Sequence, residues 1–210
     1  MTGGIVLCGG RSSRMGRPKA WLPFGDELML QRVVRVLREV VEPVVVVAAP
    51  GQDVPPLPAE VEIVRDEVEG RGPLQGLAAG LAALKADAAY LSSCDVPFLL
   101  PEFVRRMIEM LRPPVAEERP PVADAPGSPV VAVPKVDGFH HPLAAVYRVA
   151  VLPVVRDLLA ADRLRPVYLF DAVPTRVVEP HELADVDPTF QSLRNLNSPE
   201  DYQTALRELS

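Results

Sequence analysis

Four short runs built almost entirely of Val, Ile, Leu and Ala, at residues 4–7, 44–49, 61–64 and 88–92, punctuate the first half of the chain. Between them, residues 29–41 and 74–85 carry apolar side chains at helical spacing. A strand with one wet face alternates apolar and polar residues, whereas a strand that is apolar throughout is covered on both faces. The pattern therefore predicts an α/β architecture of three layers, with a mostly parallel sheet between two layers of helix. Open sheets of this kind bind ligands beyond the C-terminal ends of their strands. With 48% hydrophobic but only 5% aromatic residues, the core is made mainly from Val, Leu and Ala.

The pattern changes after Leu111. Residues 112–129 are rich in proline and acidic side chains and read as a surface loop or insertion within one domain spanning 1–210. Further strands are expected at 130–133, 143–147 and 175–179, and helices at 150–161 and 199–209. The net charge of −6 argues against a general nucleic-acid binder, which would carry a basic face. Two cysteines are too few for a disulfide framework and lack metal-ligand spacing. The opening residues lack the basic start and apolar core of a signal peptide. No apolar run approaches the roughly 20 residues of a membrane span. The expectation is a soluble, cytoplasmic protein.

The densest positive charge in this acidic chain falls directly after the first strand. Arg11, Arg14, Arg17 and Lys19 precede the first acidic residue, Asp26. Gly9 and Gly10 let the backbone turn sharply and bring its N–H groups against a ligand, and Ser12 and Ser13 add hydroxyl donors. Together these suit a polyphosphate, although a solvated basic loop would share the composition. The segment matches neither the Walker A pattern nor G-x-G-x-x-G.

Three other stretches carry chemistry. Asp95 leaves the fourth apolar run in "CDVPFL" and is placed to hold a divalent cation; Mg²⁺ needs only one or two carboxylates when phosphates and water complete its shell. The alternative, a cap on a helix starting near Pro101, requires Asp95 to act from six residues away. In "GPLQGLAAGL" (residues 72–81), Pro73 suits a helix start, while Gly76 and Gly80 leave one helix face bare, as close packing against a neighbour requires. Asn195 and Asn197 lie two apart, which in an extended segment puts both amides on one face. Ser198, followed by Pro199, Glu200 and Asp201, reads as a helix cap; Asn195 has no such explanation. Cys8 and Cys94 fall at strand ends and read as small buried residues. His140 and His141 have no third ligand for zinc, and His181 reads as surface.

The motif Gly9-Gly10-x-Ser12-x-Arg14-Met15-Gly16-x-x-Lys19 resembles the signature of nucleotidylyltransferases that act on the molybdenum cofactor, and is most similar to the molybdenum cofactor guanylyltransferase family. "CDVPFL", "GPLQGLAAGL", "NLNSPED" and the His141-Pro142 pair resemble further motifs of that family, in the expected order. The resemblance implies a Rossmann-like nucleotide-diphospho-sugar transferase fold. It also implies transfer of GMP from GTP to the phosphate of molybdenum-bound molybdopterin, with Mg²⁺ as cofactor and pyrophosphate as product. It assigns catalysis to Lys19, Arg14 and Asp95, and the metal to Asp95. Nucleotide binding falls to Leu7, Cys8, Gly9, Gly10, Ser12, Lys19, Asp66, Gly76 and Asp95. Acceptor binding falls to His141, Asn195 and Asn197. GTP and the molybdopterin cofactor are the implied partners, with transient contacts to cofactor-assembly proteins or a molybdoenzyme, and neither nucleic acid nor membrane. Two departures bear on the base: Pro18 stands where the family commonly has Asp, and residues 44–53 contain no asparagine. These leave a cytidylyltransferase open as the alternative, beside a sugar-phosphate nucleotidylyltransferase and a catalytically silent nucleotide-binding scaffold.

Overall fold

A computed structural model describes residues 1–9, 17–66, 68, 70–112 and 128–209. In chain order the first half comprises β1 (Thr2–Leu7), a small antiparallel pair β2 (Pro23–Phe24) and β3 (Glu27–Leu28), α1 (Met29–Arg38), β4 (Val44–Ala48), β5 (Glu62–Arg65), α2 (Gly72–Ala83) and β6 (Ala88–Ser93). The second half comprises α3 (Pro101–Met110), β7 (Val131–Val136), β8 (Phe139–His140), β9 (Val146–Arg148), α4 (Leu152–Ala160), α5 (Val167–Ala172), β10 (Thr175–Val178) and α6 (Pro199–Arg207).

The four apolar runs become β1, β4, β5 and β6, but β5, at the edge of the sheet, is largely exposed instead of covered on both faces. The sheet runs β10-β7-β9-β6-β1-β4-β5, with β8 folded back on β7. β1 pairs in parallel with both β4 and β6, β4 with β5, and β10 with β7. Within that order β9 is inverted, lying antiparallel between β6 and β7. Two apolar layers cover the sheet, as full burial of β1, β4 and β6 demands. On one face Leu30, Val33 and Leu37 of α1 and Phe103 and Met107 of α3 pack over Val6, Val46 and Tyr90. On the other, Leu74, Leu77 and Leu81 of α2 and Val155 and Leu159 of α4 pack over Ile5, Val47 and Leu91.

Some boundaries differ from expectation. The strand expected at 143–147 is shortened, because Pro142 opens a 3-10 turn over Pro142–Ala144 and extended pairing resumes only at Val146. Proline, with its fixed φ and no N–H to donate, suits the first position of such a turn. The helix expected to reach 41 ends at Arg38, and the N–H groups of Val40 and Val41 both turn back to the Leu37 carbonyl. The short α5 and the hairpin strands β2, β3 and β8 carry too few periodic residues to be read from sequence. The expected Pro-rich excursion falls mostly on residues 113–127, outside the described residues.

Gly76 and Gly80 set how closely α2 lies on β1. A Cβ at Gly80 would sit 2.6 Å from Ile5 Cγ2, and one at Gly76 would sit 2.9 Å from Leu7 Cδ2. Alanine gains about 1 kcal/mol of helix propensity over glycine, whereas overpacking costs about 1–3 kcal/mol. Ile5 is fully buried and β-branched and cannot yield; the end of the Leu7 side chain can. Gly80→Ala is therefore expected to lower the denaturant midpoint and Gly76→Ala to leave it nearly unchanged. A stabilised Gly80→Ala protein would contradict this packing.

Candidate active site

Three segments distant in sequence converge at the C-terminal ends of β1 and β6. The first carries Lys19. Its backbone is a single 3-10 turn, Lys19–Trp21, entered from Pro18. Ala20 is buried in the core and the Trp21 indole N–H donates to the Asp53 carbonyl at 3.1 Å, so the turn is fixed on both sides of the lysine. The second segment is the exit of β6, which delivers Ser93, Cys94 and Asp95. The third is the strap 193–197, ahead of α6.

The strap is laid down by a buried carboxylate. Asp187, fully buried, accepts the backbone N–H groups of Gln191 (3.0 Å) and Ser192 (2.9 Å), and the Ser192 hydroxyl in turn accepts from Leu100 N. Leu196 is buried with Leu22, Phe24 and Met29, and its N–H donates to the Asp95 carbonyl at 2.9 Å. With Leu196 pointing into the core, the alternation of an extended segment turns Asn195 and Asn197 the other way, toward Asp95 and Lys19.

The resulting cluster is dense. Lys19 Nζ donates to Asp95 Oδ2 at 2.7 Å and to Asn197 Oδ1 at 3.0 Å. Asp95 Oδ1 accepts from the Ser93 hydroxyl at 2.6 Å and from Asn195 Nδ2 at 2.9 Å. The side chains of Lys19 and Asp95 are only 16% and 13% exposed. Among the described residues, no group of three or more His, Cys, Asp or Glu side chains is arranged to hold a metal. The donors present here are one carboxylate, a hydroxyl and two carboxamides. That hard-oxygen set suits Mg²⁺ supplemented by phosphate oxygens and water.

Beside this cluster opens a cavity of about 590 Å³, within the range of small-molecule sites. Leu7, Cys8, Gly9, Lys19, Asp66, Gly76 and Asp95 all line it, together with Ala48, Ala49, Pro50, Arg71 and Leu143. The cavity stands at the strand ends where an α/β sheet is expected to bind its ligand.

A family described as the MobA-like NTP transferase domain matches residues 4–174. The chain belongs to this family. A protein of Mycobacterium avium named as a probable molybdenum cofactor guanylyltransferase is 36% identical over 95% of this chain and 92% of its own length. A protein of Pelotomaculum thermopropionicum with the same name is 32% identical over 96% and 90%. The crystal structure of molybdopterin-guanine dinucleotide biosynthesis protein A from Archaeoglobus fulgidus superposes with a TM-score of 0.77 at 18% identity, over 100% of this chain and 98% of that one. The likeness extends the three-layer nucleotidyltransferase fold to the whole described chain.

Within this transferase fold, the structure gathers Leu7, Cys8, Gly9, Lys19, Asp66, Gly76 and Asp95 around one cavity and joins Asn195 and Asn197 to it through Asp95 and Lys19. Gly76 is both a cavity wall and a packing position against Leu7. Asp66 turns its carboxylate back on its own loop, accepting from Val68 N at 3.1 Å. His141 is half-buried, its backbone N–H bonded to the Pro134 carbonyl, and it is absent from the cavity wall that Leu143 reaches. Burial holds the His141 pKa below its ordinary value, favouring the neutral ring. Gly10, Ser12 and Arg14 lie outside the described residues. No helix among the described residues is long and apolar enough to cross a membrane.

Two contributors escaped the sequence reading. Ser93 stands two residues before Asp95, and its hydroxyl orients that carboxylate. Gln52 ties two strand ends together: its Oε1 accepts from Ala49 N at 3.0 Å and its Nε2 donates to the Cys8 carbonyl at 3.0 Å. The signal for Ser93 is its i−2 spacing from Asp95, whereas nothing in a single sequence marks Gln52.

The Ser198 cap forms as expected. Its hydroxyl accepts from Asp201 N, while Asp201 Oδ2 accepts from Ser198 N and Asn197 N. The Ser198 hydroxyl, then the Asn197 and Ser198 N–H groups, hold the Asp201 pKa below the usual carboxylate range. A lowered folded-state pKa contributes stability above the unfolded value, and this is lost as pH falls through the folded one. Asp201→Ala is therefore expected to melt below wild type at neutral pH, with the gap closing as the pH drops below the ordinary carboxylate value of about 3.9. A gap that stays constant into acid would remove Asp201 from the cap.

Proposed function

We propose that the protein transfers GMP from GTP to the phosphate of molybdenum-bound molybdopterin, releasing pyrophosphate and forming the guanine dinucleotide cofactor. The observation that carries this reading is the convergence of Lys19, Asp95, Asn195 and Asn197 on the rim of a cavity at the strand ends. The relatives named as guanylyltransferases supply the choice of substrates.

The acceptor phosphate is already an anion. Its oxygen forms a new bond to the α-phosphorus of the donor as the bond to the β-phosphate oxygen breaks, so no nucleophilic side chain or strong general base is needed. The protein has instead to hold two mutually repelling polyanions in line, a task of positioning and electrostatic stabilisation. Gly9 presents backbone beside Ala49 where the triphosphate enters, Gly10 and Ser12, next in sequence, bind the same phosphates, and Arg14 joins Lys19 in offsetting the charge of the transfer. Lys19 exchanges its bonds to Asp95 and Asn197 for phosphate oxygens, and so offsets charge developing on the leaving pyrophosphate. Asp95, held in place by Ser93 and Asn195, is the residue that would bind Mg²⁺, which supplies further charge on the triphosphate oxygens. Asp66 and Gly76 border the nucleoside. Asn195, Asn197 and His141 lie on the acceptor side, with His141 orienting the acceptor as a neutral ring. In this reading the enzyme works in the cytoplasm as one domain, and meets cofactor-assembly proteins or a molybdoenzyme only transiently.

One observation favours a cytidylyl donor as the second reading. The cavity wall after β4 is Ala48-Ala49-Pro50, and the nearby Gln52 carboxamide is already engaged with Ala49 and Cys8. No carboxamide of that segment is therefore free for a guanine edge. Pyrophosphate release measured with Mg²⁺, the molybdenum cofactor and each of the four triphosphates separates the readings. Release with GTP alone is expected; release with CTP alone would select the second reading, and none at all a silent binder. Lys19→Ala is expected to lower turnover by about 10²–10³-fold, the usual loss on removing one preorganised charge-stabilising group. Turnover near wild type would take the lysine out of the mechanism.

A further inference from the structure

No step of the proposed transfer uses the thiol of Cys8 or Cys94, yet the fold sets the two side by side in the cavity wall. Leu7 of β1 is in register with Ser93 of β6, and Cys8 and Cys94 are the next residue along on each strand. The ladder continues through them, with Cys94 N donating to the Leu7 carbonyl at 3.1 Å and Cys8 N to the Val47 carbonyl at 2.8 Å. Both side chains lie on the same sheet face, in the apolar layer that contains Val6 and Ala20. They are 5% and 6% exposed and both border the cavity. Neighbouring strands are about 4.7–4.9 Å apart, inside the Cα separation of about 4.4–6.8 Å that a disulfide spans. Gln52 Nε2 donates to Cys8 Sγ at 3.4 Å.

We infer that Cys8 and Cys94 form a reversible dithiol–disulfide site in the nucleotide cavity, oxidised by a peroxide and blocking triphosphate binding when closed. The inference that closure blocks binding rests on the reading of this cavity as the nucleotide site. Cys8 is the attacking sulfur. The Gln52 amide 3.4 Å from its Sγ is placed to support a thiolate there. The Cys8 thiolate attacks one peroxide oxygen; the S–O bond forms, the O–O bond breaks, and the departing hydroxide takes a proton to leave as water. The Cys94 sulfur then attacks the Cys8 sulfenic sulfur; the S–S bond forms, the S–O bond breaks, and the second water leaves with the Cys94 proton. Two electrons pass from the sulfurs to the peroxide.

The bond would alter the site through the residue next to each cysteine. A disulfide fixes the two Cβ atoms at about 3.5–4.5 Å, at strand ends whose backbone spacing of about 4.7–4.9 Å already suits it. Cys8 leads directly into Gly9, which packs on Ala49, and Cys94 leads directly into Asp95. Closure therefore fixes the backbone beside Gly9 and beside the bonds that hold Asp95.

The full-length protein should be treated with hydrogen peroxide and digested without reductant for peptide mapping, and GTP affinity measured on the reduced, oxidised and dithiothreitol-treated forms. Expected are a linked Cys8–Cys94 peptide pair, a fall in GTP affinity of tenfold or more, and recovery on reduction. Cys94→Ser, checked for folding by thermal unfolding, should form no linked pair and lose the reversible part of the response. Peroxide oxidation without the linked peptides, or a linked form that binds GTP as the reduced form does, would overturn the inference. Failure of the reduced protein to bind any triphosphate would instead overturn the functional reading, because the crosslink is read by mass alone.

Discussion

The ion pair between Lys19 and Asp95 is the constraint around which the site is organised. A carboxylate mostly shielded from water is costly without partners, and each oxygen of Asp95 is satisfied locally. Oδ2 takes Lys19, while Oδ1 takes Ser93 and Asn195; the Asp95 backbone carbonyl takes Leu196 N. Those partners come from the turn after β1, from β6 itself and from the strap before α6. Satisfying one side chain thus draws together segments separated by 76 and 100 residues. The rest of the molecule serves to place these ends. Core residue Ala20 and the Trp21–Asp53 bond hold the lysine turn, Asp187 shapes the entry to the strap, and the Ser198–Asp201 cap fixes its exit.

The sheet supplies the other half of the arrangement. β1, β4 and β6 run parallel, so their C-terminal ends open on the same side. The bare face of α2 at Gly76 and Gly80 allows that helix to lie close on β1, and the cavity is bounded by that contact on one side and the Asp95 cluster on the other. A polyanion bound there would meet backbone at Gly9 and counter-charge at Lys19 without a large rearrangement of the core.

Much of this was legible in the chain because it comes from local constraints. Strands buried on both faces must be apolar throughout, so β1, β4 and β6 announced themselves. Asn195 stood out because Ser198 already explained the cap and left that amide without a structural duty. The strand expected from residue 143 was misplaced because its apolar residues outweighed the proline ahead of them, and Pro142 opens a 3-10 turn that carries the chain to Ala144. Other features depend on register across strands, which one sequence does not encode. The residue-for-residue register that pairs Cys8 with Cys94, the Gln52 bridge from Ala49 to Cys8, and the absence of His141 from the cavity wall are all of this kind.

The functional account depends on Lys19 standing, in the nucleotide-free protein, where a divalent cation would otherwise neutralise Asp95. The direct test is Mn²⁺ binding to the nucleotide-free protein, followed by titration of wild type and Lys19→Met, with Asp95→Asn as the control for the site. The account predicts that Lys19→Met binds Mn²⁺ more tightly than wild type, that it binds the triphosphate more weakly, and that Asp95→Asn abolishes the metal gain in the double variant. Equal or weaker Mn²⁺ binding by Lys19→Met would contradict it.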